Sequence, residues 1–295
     1  MSNETIAKKE LLLKKRPSAI HTLYNGFRKG KFKGKIRTEW SNMVAVWPDI
    51  VLNRKHLNDF TDLCGLERSD RLPILYPFSL LYPLNLWIIS QKEIEVPMFK
   101  MLTLRNSTVM YRDISVGEKL RITSLMKGRR FVRKGMEFYI ESTIQSNDES
   151  VWKNTSTFFV PGMLGEEDTT FTSSGLETIP EAETLSEWFL PAKNSFRFAR
   201  IMGDSNGIHY SKWYARMMGF KRDFVQPIKV SSKCIDCLPK LLGDGPLLLE
   251  LNFKGPVYYE SELVLKNVGT ENSNRFDLYT LSNDRPCICG KLEKL

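Results

Sequence analysis

Long apolar runs are missing from this sequence. None approaches the roughly 20 residues that a membrane-spanning helix needs, and acidic and basic residues surround the short apolar run Leu11–Leu13 near the start. This pattern argues against a secretory signal. The five cysteines are an odd number, and the long chain contains no small disulfide scaffold, which is typical of a reducing compartment. We therefore expect a cytoplasmic protein without a membrane span.

Gly-rich phosphate loops, nucleophile elbows and carboxylate metal clusters are also missing. Four thiols, in Cys234-Ile-Asp-Cys237 and Cys287-Ile-Cys289, are enough in number for a zinc site. The first pair, however, falls within a predicted core helix, and the second alternates along a predicted strand. Buried free thiols are the better interpretation. We expect neither a metal nor a cofactor.

The remaining composition is that of an ordinary globular protein, with 42% apolar and 26% charged residues in a chain of 295. This length can bury a large core in one big domain or two small ones.

The net charge of +9 is concentrated in two runs. Arg28–Arg37 carries six basic residues, and Lys127–Lys134 carries five. Solvated faces are the usual explanation of such runs, and a nucleic-acid groove is a second one. The aromatic residues between the charges are limited to Phe32 and Phe131, so we do not expect nucleic acid as a partner. We favour a third explanation, attraction of an acidic carrier protein or of coenzyme A phosphates.

Histidine is scarce, and the only one in the second half of the chain, His209, follows Asp204 by five residues. The other two, His21 and His56, lie in segments that lack partners for a metal site or a triad, and we expect surface or packing roles for them. On a continuous helix, positions five apart point roughly 140° away from each other. Gly203 and Gly207 allow the backbone to break between the acid and the base.

A carboxylate and an imidazole that converge in this way could add or remove a proton and a hydroxyl across one bond. A structural alternative is that Asp204 caps a helix and that His209 is a half-buried packing residue.

The surrounding window resembles the signature of the MaoC-like (R)-specific enoyl hydratases and 3-hydroxyacyl dehydratases. In that signature an aromatic residue and a short spacer precede Gly-Asp-x-Asn-Pro-aliphatic-His, and a small residue follows six positions later. Gly207 stands here where the family has its proline. The matching residues are Phe198, Gly203, Asp204, Asn206, Ile208, His209 and Ala215, followed by Gly219-Phe220.

The resemblance implies an α+β fold of the double hot dog type, in which two bent antiparallel sheets each wrap around a central helix. An internal repeat supports it, because 60–66 echoes 198–204 and 74–78 echoes 224–228. In the first copy Leu66 replaces the Asp, and the segment that would carry the His is missing.

The chain therefore divides into four predicted segments: a basic N-terminal extension (1–56), a first half with a degenerate site (57–161), a linker (162–185) and a second half with the Asp-His motif (186–295). Helices are predicted over 57–65, 72–89 and 228–242, although Pro239 should end or kink the last one. Strands are predicted over 100–111, 119–125, 135–145, 151–160, 246–254, 261–268, 275–281 and 286–292.

The resemblance also assigns roles to residues. Asp204 and His209 would line a tunnel that receives an acyl thioester, with Asn206 and Gly207 shaping the loop or orienting water. One of the pair would remove the C2 proton while the other helps the C3 hydroxyl to leave, and hydration is the reverse.

A developing charge on the thioester oxygen also needs backbone N–H donors at a helix N-terminus. The family commonly has His-Gly there, and this chain has Gln226 and Pro227. A proline has no N–H, so we expect the N–H of Ile228 to take its place.

Two functions follow from these expectations. The first is a hydro-lyase that interconverts (R)-3-hydroxyacyl and trans-2-enoyl thioesters of coenzyme A or acyl carrier protein, in fatty acid or polyketide metabolism. The second is a non-catalytic acyl-thioester-binding or scaffold protein, favoured by the altered oxyanion position and the idle first copy. A homodimer is an open alternative to a monomer.

Overall fold

A computed structural model describes residues 9–28, 43–162, 165–169, 175–204 and 206–295. The first half contains β1 (Lys9–Leu12), α1 (Ala19–Arg28), β2 (Met43–Val51), α2 (Arg54–Cys64), α3 (Phe78–Ile89), β3 (Leu102–Met110), β4 (Lys119–Val132), β5 (Gly135–Ser146) and β6 (Glu149–Pro161). The second half contains β7 (Glu183–Leu190), α4 (Ser195–Met202), α5 (Lys212–Met217), α6 (Pro227–Cys237), β8 (Leu247–Phe253), β9 (Ser261–Gly269), β10 (Ser273–Thr280) and β11 (Ile288–Lys294).

The strands form one 11-stranded sheet in the order β1-β2-β4-β5-β6-β3-β8-β11-β10-β9-β7. Apart from β1, each half contributes five strands in the same relative order, so the sheet repeats itself about the β3–β8 junction. The two predicted sheets are joined edge to edge, because β3 and β8 pair antiparallel. Edge strands carry unpaired N–H and C=O groups, and this pairing satisfies them.

The predicted repeat is present in the backbone. Helices α2 and α4 both end at a left-handed glycine, Gly65 with φ 69° and Gly203 with φ 67°. The next residue in each half, Leu66 or Asp204, donates its N–H at 2.9 Å to the helix carbonyl five residues earlier. The two segments therefore fold alike, and only the side chain after the glycine differs.

Prolines decide where the two central helices begin and end. Helix α3 starts at Phe78 and not at residue 72, because the chain before it forms turns. Helix α6 stops at Cys237, two residues before Pro239, the residue that was expected to end or kink the predicted helix 228–242. Pro83 lies inside α3 and leaves the carbonyl of Ser79 without its helical N–H donor.

The predicted strands are all present, and the sequence missed three further strands of the described residues, β1, β2 and β7. Strand β2 pairs with β4, although it lies in the segment assigned to the N-terminal extension, and it contains Pro48 and a register shift. Strand β7 begins within the predicted linker and pairs only with β9. Charged and exposed residues weaken its apolar alternation, as is usual at a sheet edge.

The apolar core is continuous between the two halves. It joins α3 and α6 to the inner face of the sheet, with Trp152, Phe138, Phe198 and Phe276 among its large buried side chains. The five cysteines are free thiols, and the described residues contain no group of three potential metal ligands. Nor does any helix in the described ranges have the length and apolarity needed to cross a membrane.

Candidate active site

A break in the helical backbone separates Asp204 from His209, as the glycines predicted. Helix α4 ends at Met202, Gly203 turns the chain, and a short 3-10 turn covers Gly207–His209. Asn206 caps this turn, because its side-chain oxygen accepts the N–H of Ile208 at 3.3 Å. The loop is therefore held by its own polar residues.

The break brings the predicted acid and base together in the interior. Asp204 is 5% exposed and His209 is 7% exposed, and Nε2 of His209 lies 3.6 Å from Oδ2 of Asp204. This distance is longer than a hydrogen bond. A substrate oxygen placed beside the gap could contact both groups.

The hydrogen bond of the other ring nitrogen decides the state of His209. Its Nδ1 lies 3.0 Å from the carbonyl oxygen of Phe224. A carbonyl only accepts, so Nδ1 carries the proton, and in the neutral ring Nε2 has a free lone pair. That lone pair is on the side of Asp204.

The carboxylate of Asp204 is held by two donors. Oδ1 accepts the N–H of Asn206 at 2.8 Å, and Oδ2 accepts the side-chain amide of Gln226. Gln226 was predicted to lie in the oxyanion region, and the structure places its amide on the acid. It therefore fixes the carboxylate in front of the histidine.

Burial is the largest influence on the ionisation of both groups. It raises the pKa of Asp204, against the opposing effects of His209, the Asn206 N–H and Gln226. It lowers the pKa of His209, against the opposing effects of Asp204 and the Phe224 carbonyl. Both shifts favour the uncharged forms, a protonated acid and a neutral base.

A cavity of about 290 Å³ adjoins the pair, between the two halves. Its lining residues come from α3, β3 and β6 of the first half and from the loop 206–209, α6 and the following strands of the second. Of the predicted site residues, four line it: Asn206, His209, Gln226 and Ile228. Asp204 and Gly207 do not: Asp204 lies behind the cavity-lining residues His209 and Gln226, which its carboxyl contacts. The role of Gly207 is close packing, because a Cβ there would lie 2.8 Å from the Tyr214 ring.

The N-terminus of α6 faces this cavity. Pro227 is the first residue of the helix, and the next backbone N–H, that of Ile228, has no hydrogen-bond partner among the described residues. An open N–H at a helix N-terminus can stabilise negative charge on an oxygen.

Comparison with known proteins is consistent with this geometry. Models of protein families give no match. A curated relative, 3-hydroxyacyl-thioester dehydratase X of Mycobacterium tuberculosis, is 21% identical over 181 residues, or 61% of this chain, and the match spans 64% of the relative's length.

Solved structures show the likeness over most of the chain. HtdX of Mycobacterium tuberculosis has a TM-score of 0.74 at 15% identity, covering 85% of this chain and all of that one. A MaoC-like dehydratase from Phytophthora capsici has a TM-score of 0.69 at 15% identity, covering 90% and 98%. A further Mycobacterium tuberculosis protein, described as a double hot dog, has a TM-score of 0.60 at 12% identity, covering 88% and 97%.

The chain has the double hot dog fold. The fold class predicted from the sequence is confirmed, and so is the likeness to the MaoC-like dehydratases. Within this fold, the central helix of each half reaches the site from a different side, so residues of the first half contribute to a cavity whose acid and base lie in the second.

Tyr82 is one such contribution of the double hot dog that the sequence did not reveal. It lies on α3 and lines the cavity, and its hydroxyl has no hydrogen-bond partner among the described residues. Burial and the nearby Asp204 carboxyl raise its pKa well above the usual value. Because α3 is apolar on nearly all sides, no periodicity marked this position.

The remaining histidines and basic runs have structural surroundings. The ring of His56 contacts the Tyr76 hydroxyl at 3.0 Å and the Ile201 carbonyl at 3.3 Å, and the exposed His21 packs beside Trp87. In the run 127–134, at the β4–β5 hairpin, Arg130 forms a buried ion pair with Glu137.

None of the residues 127–134 lines the cavity, so this part of the predicted carrier-attracting rim lies elsewhere. Most of the run 28–37 lies outside the described residues.

A different basic surface adjoins the cavity. A neighbouring groove shares Lys254, Gly255 and Pro256 with it and adds Lys221 and Arg285. The three basic residues are exposed, so the groove presents positive charge next to the cavity.

Proposed function

We propose that this protein is a hydro-lyase that interconverts (R)-3-hydroxyacyl and trans-2-enoyl thioesters. The observation that carries the proposal is the buried pair of Asp204 and His209, which face each other at 3.6 Å beside a cavity. The curated relative is named a 3-hydroxyacyl-thioester dehydratase, which supports the same chemistry.

The favoured protonation states of Asp204 and His209 suggest which of them acts as the acid and which as the base. In the dehydration direction, the lone pair of His209 Nε2 takes the C2 proton, and the electrons of that C–H bond form the C2–C3 double bond. The C3–O bond breaks as Asp204, in its protonated form, donates its proton, so the hydroxyl leaves as water. Return of the proton from His209 to Asp204 restores the starting state, and hydration runs through the same steps in reverse.

Removal of the C2 proton requires stabilisation of charge on the thioester oxygen. The N–H of Ile228 is the available donor at the start of α6, and the positive end of that helix points the same way. Gln226 has a different task, since its amide holds Asp204. The proline at position 227 thus leaves one N–H for this oxygen.

We expect electrostatic attraction to the basic groove to position the carrier end of the thioester. Coenzyme A and the phosphopantetheine of acyl carrier protein both carry phosphate, which the groove of Lys221, Lys254 and Arg285 would attract. Since the groove shares residues with the cavity, an arm bound there can lead its acyl group inward.

Turnover of enoyl thioesters tests the proposal. The purified protein is mixed with crotonyl-coenzyme A, longer enoyl-coenzyme A esters and the corresponding carrier-bound esters, and loss of the enoyl absorbance is followed. We expect hydration by the wild type and a loss of roughly 10²–10⁴-fold in kcat for His209→Ala and for Asp204→Asn.

Circular dichroism checks that these variants fold. A wild type that binds acyl thioesters and hydrates none of them would contradict the lyase and leave the non-catalytic binding protein.

A further inference from the structure

The first half of the chain contains an unusual row of buried polar side chains on the inner face of its sheet. In neighbouring strands Ser124 pairs with Ser142, Ser142 with Asn154, and Asn154 with Thr108. Each of the four is at most 1% exposed. Buried polar groups destabilise a fold unless they are hydrogen-bonded, so every atom of this row needs a partner.

Most of these atoms are satisfied within the row. The Asn154 amide nitrogen donates to the Ser107 carbonyl at 3.2 Å and to Thr108 Oγ1 at 3.0 Å. Because a carbonyl only accepts, this contact fixes the orientation of the Asn154 amide. Its oxygen then accepts the hydroxyl of Ser156 at 2.7 Å.

A further contact of Ser156, with Asn106, leaves one amide atom of Asn106 without a partner. Ser156 Oγ also lies 2.9 Å from Oδ1 of Asn106, so its hydroxyl faces the amide oxygens of both asparagines. The amide nitrogen of Asn106 is then a donor without a partner among the described residues, on a side chain that is 3% exposed.

A second amide on α3 is in the same position. Asn85 is 3% exposed, and its side chain has one contact, at 3.5 Å to Ser142 Oγ. The other end of its amide has no partner in the described part of the chain. Both asparagines line the cavity beside His209, so the unused polar atoms occur where a ligand would lie.

We propose that these two asparagines form a polar subsite for an acyl chain that carries a hydroxyl group. The amide nitrogens of Asn106 and Asn85 would both donate to the oxygen of that hydroxyl. The subsite belongs to the first half, because the repeat aligns Asn85 with Ile235 in α6. It rests on the proposed function, since it concerns the substrate of the same cavity.

A matched pair of substrates tests the subsite. The trans-2-enoyl-coenzyme A ester of an unsubstituted medium-length chain is compared with isomers that carry one hydroxyl at successive distal carbons. For one hydroxyl position we expect a wild-type kcat/KM about tenfold above that of the plain chain, the effect of one well-placed hydrogen bond. Asn106→Leu and Asn85→Ile should each abolish or invert this preference.

Thr108→Val is the matched control, since Thr108 lies in the same polar row and does not line the cavity. It should keep the preference of the wild type. The ratio of the two substrates is measured within one protein sample, so partial unfolding of a variant does not affect it. Preference for the plain chain over every isomer, or an unchanged ratio in both asparagine variants, would mean that the subsite holds only water.

Failure of the lyase proposal is distinguishable from failure of the subsite. If no thioester is turned over, calorimetric binding of saturated hydroxyacyl- and acyl-coenzyme A still compares the two chains. Tighter binding of one hydroxylated isomer, lost in Asn106→Leu, would retain the subsite in a protein that is not an enzyme. Equal binding would overturn it.

Discussion

The two halves of this molecule begin their sites with the same backbone and end with different chemistry. Each has a helix closed by a left-handed glycine, and the residue after that glycine makes the same 2.9 Å backbone hydrogen bond. That residue is Leu66 in the first half and Asp204 in the second. The loop containing His209 has no counterpart in the first half, where α3 starts soon afterwards.

The half without the acid and base still serves the site of the other half. Its central helix supplies Tyr82 to the cavity. Its N-terminal segment supplies Arg16, which donates to the Ser79 carbonyl at 3.0 Å and to the Ile201 carbonyl at 2.5 Å. The first carbonyl is the one that Pro83 leaves without a helical donor, and the second lies at the end of α4. The first half thus supports the end of α4, from which the loop with Asp204 and His209 continues.

Making the second half resemble the first should lower kcat more than the other changes. Asp204→Leu copies the residue at position 66 and removes the proposed acid, and we expect kcat to fall by roughly 10²–10⁴-fold. Leu66→Asp is the reciprocal variant and should create no second activity, because its half lacks the histidine. Enoyl hydration assays on both variants measure this, and an active Asp204→Leu protein would refute the role of the acid.

Replacing each of the two capping glycines, Gly65 and Gly203, with alanine should destabilise the protein by different amounts. A left-handed alanine costs about 1–2 kcal/mol, and at position 65 nothing lies within 4 Å of the added Cβ. At position 203 the Cβ would lie 2.5 Å from Pro83 Cγ and 2.9 Å from Arg16 Nη2, which adds about 1–3 kcal/mol of overpacking. Urea unfolding should therefore show the larger loss for Gly203→Ala.

Only Gly203→Ala should also lower kcat, since it displaces Asp204. Equal losses of stability and activity in the two alanine variants would contradict this asymmetry.

Removing the support from the first half should have a moderate effect. Arg16→Met deletes the donor to two carbonyls, and we expect a loss of about 1–3 kcal/mol in the free energy of unfolding. Since the Ile201 carbonyl keeps the contact with His56, kcat should fall less than in Gly203→Ala. Denaturation and turnover of the same sample measure both quantities. A variant as stable and as active as the wild type would show that Arg16 is dispensable.

The smallest expected effect is the pH dependence of stability due to the buried His209 and the half-buried His56. Burial lowers the pKa of His209 and of His56, and Arg16 adds to the effect at His56. The folded state thus prefers neutral rings, while the unfolded chain takes up protons near the ordinary pKa of 6.5. Stability should therefore fall as the pH drops below about 6.5.

His56→Gln and His209→Gln should each make the acid loss of stability shallower. The acid limit of kcat/KM should lie below pH 6.5 and belong to His209 alone, so His56→Gln should leave it in place. A shift of that limit in His56→Gln would contradict the assignment.

Burial shifts the pKa of Asp204 in the opposite direction to that of the histidines. It raises the pKa of Asp204 above the ordinary 3.8, so the folded state binds the proton more tightly than the unfolded chain does. This contribution to stability is complete below the ordinary value and is lost as the pH rises through the raised one. Asp204→Asn, which stays neutral, should remove this loss, and unfolding curves between pH 4 and 8 would show it.

Several features of the site were predictable because they depend on local sequence. Glycine has no Cβ, so Gly203 and Gly207 marked where the helix could break between acid and base. A proline has no N–H, so position 227 indicated that the next residue would have to replace it. The internal repeat predicted the duplicated fold, since similar sequences bury similar faces.

Other features were beyond prediction because they depend on which distant groups meet. The amide of Gln226 turns to Asp204 and not to a thioester oxygen. Neither Asn85 nor Tyr82 differs in local pattern from its neighbours on an apolar helix. Strand β2 was missed because Pro48 and a register shift interrupt its period.

By itself, the sequence determined the repeat and the break in the helix between Asp204 and His209, because these follow from backbone freedom and from side chains near one another along the chain. Only the tertiary structure decided that both halves enclose one cavity, that the first half supports the loop of the second, and which polar atoms stay unused. Those outcomes depend on packing between segments more than 100 residues apart, where burial and the demand of each buried polar atom for a partner choose the contacts.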